Sequence, residues 1–85
     1  MIGTREQKWC AQKLGQKLYE LRTERGMSQE QVAQAVGIAT FSYRKLEHGE
    51  SNPGSPGNPR FITLVSLIKE FGVSESDILA FIDEL

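Results

Sequence analysis

The ten residues SQEQVAQAVG, Ser28 to Gly37, leave little freedom in what they can form. Ser28 followed three residues later by Gln31 has the spacing of a capping box, and Val32, Ala33 and Val36 make an apolar stripe at helical spacing. Gly37 then supplies a left-handed stop. A helix held between those signals has only about two turns. A second short helix follows almost at once, from about Thr40 to His48, and Gly49 terminates it.

The rest of the chain is also written in helical period, and no stretch alternates for long as a strand would. Thr4 and Gln7 have capping-box spacing, and Cys10, Leu14, Leu18 and Leu21 run along one face to a stop at Gly26. A fourth helix is expected from about Phe61, presenting Phe61, Leu64, Val65, Ile68 and Phe71 before Gly72. Ser74 caps a fifth, with Asp77 at the box position and Ile78, Leu79, Phe81, Ile82 and Leu85 following. Between helices 3 and 4 lies ESNPGSPGNPR, which holds all three prolines of the chain and reads as a loop over residues 50–60 without regular structure. The expected fold is all-α: one compact five-helix domain over residues 1–85 with an extended Pro/Gly loop.

A chain of 85 residues with 39% hydrophobic content has room for one small core, so any effector-binding or catalytic domain would have to be elsewhere. One cysteine, Cys10, excludes an internal disulfide and reads as a small apolar residue on a helix. With one His and no clustered carboxylates there is no recognisable metal site or nucleophile–base pair, and neither a cofactor nor enzymatic activity is expected. No apolar run resembles a signal peptide or a membrane span, so a soluble, cytoplasmic protein is expected. The net charge of −1 hides a division. Residues 1–48 carry eight Lys/Arg against five Glu, whereas the remainder carries two against six acids. A basic half suggests that one part of the surface meets a polyanion.

Two short helices joined by a glycine turn form a helix-turn-helix arrangement. Ala33 is small where the helices cross, and Val32, Val36, Ile38 and Leu46 supply the apolar wedge between them. At about 100° per residue, Ala39, Tyr43 and Leu46 share one side of helix 3, while Phe41, Arg44, Lys45 and His48 fall on the other. The outward face is therefore the basic one. Its side chains suit DNA: Lys45 and Arg44 for guanine or phosphate, Thr40 and Ser42 for bases or backbone. Periodicity alone fits a solvated charged face equally well. Phe41 either presses on thymine methyl groups or folds back over the following loop. Glu47 lies between the faces, partly buried, and requires a partner.

LRTERGMSQEQVAQAVGIATFSYRKLEHGESNP, followed by ITLVSLIKEFGVSESDIL, resembles the Xre/Cro/C1 family of helix-turn-helix regulators. The shared features are LRxxRGxSQExxA, the turn glycine, LExG closing helix 3 and LxxLxxxFGVS before the last helix, over Leu14 to Leu79. The resemblance implies a repressor-like domain that binds double-stranded operator DNA as a homodimer. It implies that Gln29 meets a phosphate and braces helix 3, that Thr40, Phe41, Ser42 and Lys45 face base edges, and that Arg22 pairs with Glu47. His48 lies in the last turn of helix 3 and reads as solvent-facing.

The chain departs from the family pattern in places. Ala39 stands where a Ser or Thr cap is usual, which leaves Thr40 to cap a shorter helix; Tyr43 is a larger wedge whose hydroxyl needs a partner. The loop is long, with Arg60 a candidate for phosphate or minor-groove contact. Beyond the resemblance, Phe81, Ile82 and Leu85 form either a two-fold interface, with Phe71 and Val73 beside them, or the base of the core against Trp9 and Leu14. A protein-interaction module of antitoxin or adaptor type on the same fold is the competing function.

Overall fold

Ser28 caps the second helix as its spacing predicts. Its hydroxyl accepts from the Gln31 N–H at 3.0 Å, and the Gln31 side chain accepts from the Ser28 N–H at 2.8 Å. In the computed structural model, which describes residues 4–52, 55–56 and 59–85, the box opens α2 over Gln29–Val36. Gly37 closes it at φ 77°, a conformation a side chain resists, and the Ile38 N–H returns to the Ala33 carbonyl at 3.0 Å.

Around this unit stand α1 (Thr4–Glu24), α3 (Thr40–Glu47), α4 (Phe61–Phe71) and α5 (Glu75–Glu84). Thr4 is already helical, and the residues needed to judge its capping box lie outside the described ones. Ala39, not Thr40, occupies the N-cap of α3 with extended backbone and no side-chain cap bond. Thr40 is thus the first helical residue, and α3 begins without the cap expected of it. Ser74 caps α5 through the Asp77 N–H at 3.2 Å.

The proline-rich segment is not wholly irregular. β1 (Glu50–Asn52) pairs antiparallel with β2 (Ser55–Pro56), Glu50 opposite Pro56 and Asn52 opposite Ser55. Two residues advance on one strand for one on the other, which marks a bulge. Pro56 has no N–H to give, and a two-stranded ribbon tolerates it because both strands are edges. β1 follows directly from α3, and β2 runs alongside α1.

The core joins Leu18 of α1, Val32 and Ala33 of α2, Tyr43 and Leu46 of α3, and Leu67 and Phe71 of α4. Phe71 is therefore core, not part of an interface, and Val73 is half-buried against the same cluster. Phe61, expected on the inner face of α4, is instead exposed. It stands in the first turn about 70° from the Leu64/Phe71 direction, beyond the reach of the core. Trp9 is also exposed, with the Lys13 ammonium 4.7 Å from its ring centre, so it does not close the base of the core.

Gly15 explains how α1 and α3 approach so closely. It is buried, and a Cβ there would lie 2.5 Å from the Glu47 carbonyl oxygen and 2.7 Å from that of Leu46. Arg25 ties the ends of α1 and α4 together. It donates to the Phe71 carbonyl and, at 3.0 Å, to that of Leu21, with its guanidinium 5.4 Å from the Phe71 ring centre.

Candidate nucleic-acid interface

Helix α3 is seated by Tyr43 and Leu46, both buried, and presents Phe41, Ser42, Arg44 and His48 to solvent. Lys45, also read on the outward face, is half-buried; apart from it and from Ala39, which as the exposed cap lies outside the helical repeat, the two-faced reading of this helix matches the burial pattern. The seat is reinforced by charge. Arg22 Nε donates to Glu47 Oε2 at 2.5 Å and its Nη2 to Oε1 at 3.0 Å, a forked pair whose side chains are 14% and 5% exposed. A further bond, from Nη1 to the Met27 carbonyl at 3.0 Å, fixes the guanidinium to the turn before α2.

Gln29 extends this pair to the surface. Its amide nitrogen donates to Glu47 Oε1 at 3.1 Å, and its amide oxygen accepts from Arg44 Nε at 3.1 Å. A continuous chain thus runs from Arg22 through Glu47 and Gln29 to the exposed Arg44 guanidinium. The expected bracing of α3 by Gln29 is present, and it also orients Arg44, which the sequence did not announce. Burial alone would raise the Glu47 carboxyl, but the bonds from Arg22, with smaller contributions from the nearby Tyr43 hydroxyl and from the Gln29 amide, outweigh it and hold the group below its ordinary value.

The Tyr43 hydroxyl is different. It is buried beside this network without a hydrogen bond of acceptable geometry, contrary to the expectation that it would find a partner. Burial first, and then the adjoining Glu47 carboxylate, raise its pKa.

The remaining candidates meet on the other flank of α3. Phe41, Ser42 and Lys45 line one cleft with Arg60, the exposed N-cap residue of α4, and with Ile38 and Ala39. The Lys45 ammonium sits 4.4 Å from the centre of the Phe41 ring. That stack follows the i, i+4 spacing on one helix face, a signal already present in the sequence. Thr40 is half-buried in the first turn and does not line the cleft. Glu50 lines it as the one acid among these residues. His48 is exposed at the end of α3, as expected.

Phe81, Ile82 and Leu85 line a different cleft. With Cys10, Leu14 and Leu18 of α1 and Leu67 of α4 they line an apolar cleft of roughly 300 Å³, whose other wall residues include Lys17 and Asp77. No residue of α5 is fully buried, and Ile82 and Leu85 remain 54% and 43% exposed. Among the described residues no helix is long and apolar enough to cross a membrane, and no group of three or more His, Cys, Asp or Glu is placed to hold a metal.

No curated protein and no solved structure matches the chain significantly. A family model does: that of a helix-turn-helix domain, over residues 15–84, which takes in every element described above except the first turns of α1. With that match and the five-helix architecture, the chain belongs to the helix-turn-helix domain family of the Xre/Cro/C1 kind, a kind of domain found in DNA-binding transcription regulators.

Proposed function

We propose that this protein is a sequence-specific DNA-binding transcription regulator of the cytoplasm, a repressor or autoregulator, which places α3 in the major groove and acts by occupancy, not by chemistry. The observation that carries the proposal is the chain of bonds from Arg22 to Arg44, which fixes an exposed basic helix rigidly to the core. A reading element must hold its donors in register before it meets base edges, and a helix seated on loose contacts would not. In this arrangement Gln29 contacts a phosphate, Arg44 contacts phosphate or guanine, Thr40 and Ser42 bond bases or backbone, Phe41 and Lys45 meet base edges, and Arg60 approaches a phosphate or the minor groove.

A homodimer completes the proposal. Ile82 and Leu85 are exposed apolar side chains at the rim of a cleft that α1 and α5 leave open, so a second copy would bury them. The Lys17 and Asp77 positions on the same cleft have opposite charges, as a self-complementary two-fold contact favours. Two copies would present their basic helices about 34–36 Å apart, one turn of DNA, and require a palindromic site.

Titration of random-sequence duplexes at 50 and 200 mM salt, followed by selection from a randomised pool, tests this. Affinity falling steeply with salt and enrichment of a two-fold-symmetric site are the expected results. Salt-independent binding with no enriched sequence would move the assignment to a protein-interaction module.

A further inference from the structure

The pairing of Phe41 with Lys45 points to a more specific reading, one that rests on the proposed DNA-binding role of α3. Phe41 is the second residue of α3 and is 62% exposed, so a large apolar ring stands on the outward side of that helix. Ile38 and Ala39 line the same cleft as the ring, beside the polar Ser42, Glu50 and Arg60. An apolar surface at the leading end of a reading helix has one apolar target in the major groove, the C5-methyl group of a pyrimidine. Lys45 stands one turn later with its ammonium 4.4 Å from the ring centre. An ammonium has three N–H donors and can address guanine O6 or N7 while it remains over the ring.

We infer that Phe41 and Lys45 act as one unit that recognises a C5-methylated pyrimidine next to a G·C pair. Successive bases are about 3.4 Å apart along a strand, comparable to the separation of ammonium and ring, so the two groups address neighbouring base pairs. The ring supplies the methyl contact and also holds the lysine in the rotamer that reaches guanine. Thymine satisfies the unit, and so does 5-methylcytosine, because both carry the same methyl at the same position in the groove. Unmodified cytosine and uracil do not. The domain is thereby sensitive to cytosine methylation at one step of its site, through a side-chain pair lying wholly within the reading helix.

The test uses the full chain and the duplex it selects from a random pool. Each thymine is replaced in turn by deoxyuridine, which removes only the methyl group. At one thymine beside a guanine in each half-site, the replacement should weaken wild-type binding about fivefold or more, the usual scale of a lost base contact. Placing cytosine there and then methylating it should restore that factor. Phe41→Ala, a change at an exposed position, should bind thymine and deoxyuridine duplexes equally, and Lys45→Ala should lose discrimination at the adjoining guanine. A wild-type protein indifferent to every deoxyuridine, a selected site with no thymine beside a guanine, or equal methyl sensitivity in Phe41→Ala would each overturn the inference while leaving DNA binding intact. Absence of any salt-dependent DNA binding would overturn the DNA-reading function, and this inference with it.

Discussion

Arg22 of α1 and Glu47 of α3 are joined by two hydrogen bonds, one to each carboxylate oxygen, and the same carboxylate receives Gln29 of α2. One acidic side chain therefore locks three helices at the point where the outward helix leaves the core. Breaking a pair this deeply covered leaves an uncompensated charge, so Arg22→Ala should cost about 3 kcal/mol, against less than about 1 for an exposed pair. In a domain of this size that is a fall in Tm of roughly 12–24 °C, measurable by circular dichroism. A drop of only a degree or two would show that water reaches the pair.

The same contact fixes the direction of the acid response. The Glu47 carboxyl is held below its ordinary value of 4.5, so its stabilisation is fully present above that pH and is lost as pH falls through the lower, folded value. Wild-type stability should decline below about pH 4.5 with a component that Glu47→Gln lacks. Denaturant unfolding at pH 6 and pH 3.5 checks this; parallel losses in the two proteins would place the acid-sensitive group elsewhere.

Gly15→Ala sets two effects against each other. In an exposed helix interior the change gains about 1 kcal/mol from helix propensity. Here the new Cβ would meet backbone carbonyls at 2.5 and 2.7 Å, atoms that cannot swing away as a side-chain tip can. Over-packing typically costs about 1–3 kcal/mol, so a net loss of up to roughly 2 kcal/mol is expected in urea unfolding. A stabilised variant would mean that α1 and α3 separate at little cost.

Removal of the Tyr43 hydroxyl should be harmless. A buried hydroxyl without a hydrogen bond carries a desolvation penalty of about 1–3 kcal/mol, and Phe fills the same volume without it. Tyr43→Phe is therefore expected to match or exceed the wild type in Tm. If it instead loses more than about 1 kcal/mol, the hydroxyl has a working partner.

The helices were legible because each boundary is a local event. Ser28 and Ser74 are caps, and Gly37 and Gly72 are stops, whatever surrounds them. The seat of α3 was legible too, since Tyr43 and Leu46 are three residues apart on one face. What the sequence obscured depends on neighbours distant in the chain. Gly15 looks like a helix weakness until the backbone of residues 46–47 is seen beside it, and Arg25 has no evident task until Phe71 ends α4 against it. Phe61 misled because a helical stripe does not say where the core stops. Three prolines concealed the β1–β2 ribbon, whose pairing is set by backbone bonds and not by apolar alternation.

Gln29→Ala separates bracing from contact. Gln29 joins Glu47 to Arg44, so its loss should weaken DNA binding by releasing Arg44 as well as by removing any phosphate bond of its own. Arg44→Ala should lower the salt dependence of log K by about one, the signature of one lost phosphate contact. Because the two residues act in series, the double variant should bind better than the product of the single losses predicts. Strict additivity, measured by fluorescence titration, would show that Arg44 reaches its target without Gln29.

Ile82→Asp addresses the proposed two-fold contact at the cleft between α1 and α5. Ile82 is 54% exposed, so the substitution should leave the fold intact, with thermal unfolding within a few degrees of wild type. In a dimer it would bury two unpaired carboxylates, one from each copy, and a charge without a partner is strongly disfavoured in an apolar interface. Sedimentation at micromolar concentration should then change from a two-chain mass for wild type to a one-chain mass for the variant. Occupancy of a two-fold-symmetric duplex should fall in parallel, because each half-site would be bound without the help of the other. Equal masses for the two proteins would remove α5 from the interface and leave Ile82 and Leu85 as ordinary exposed apolar residues.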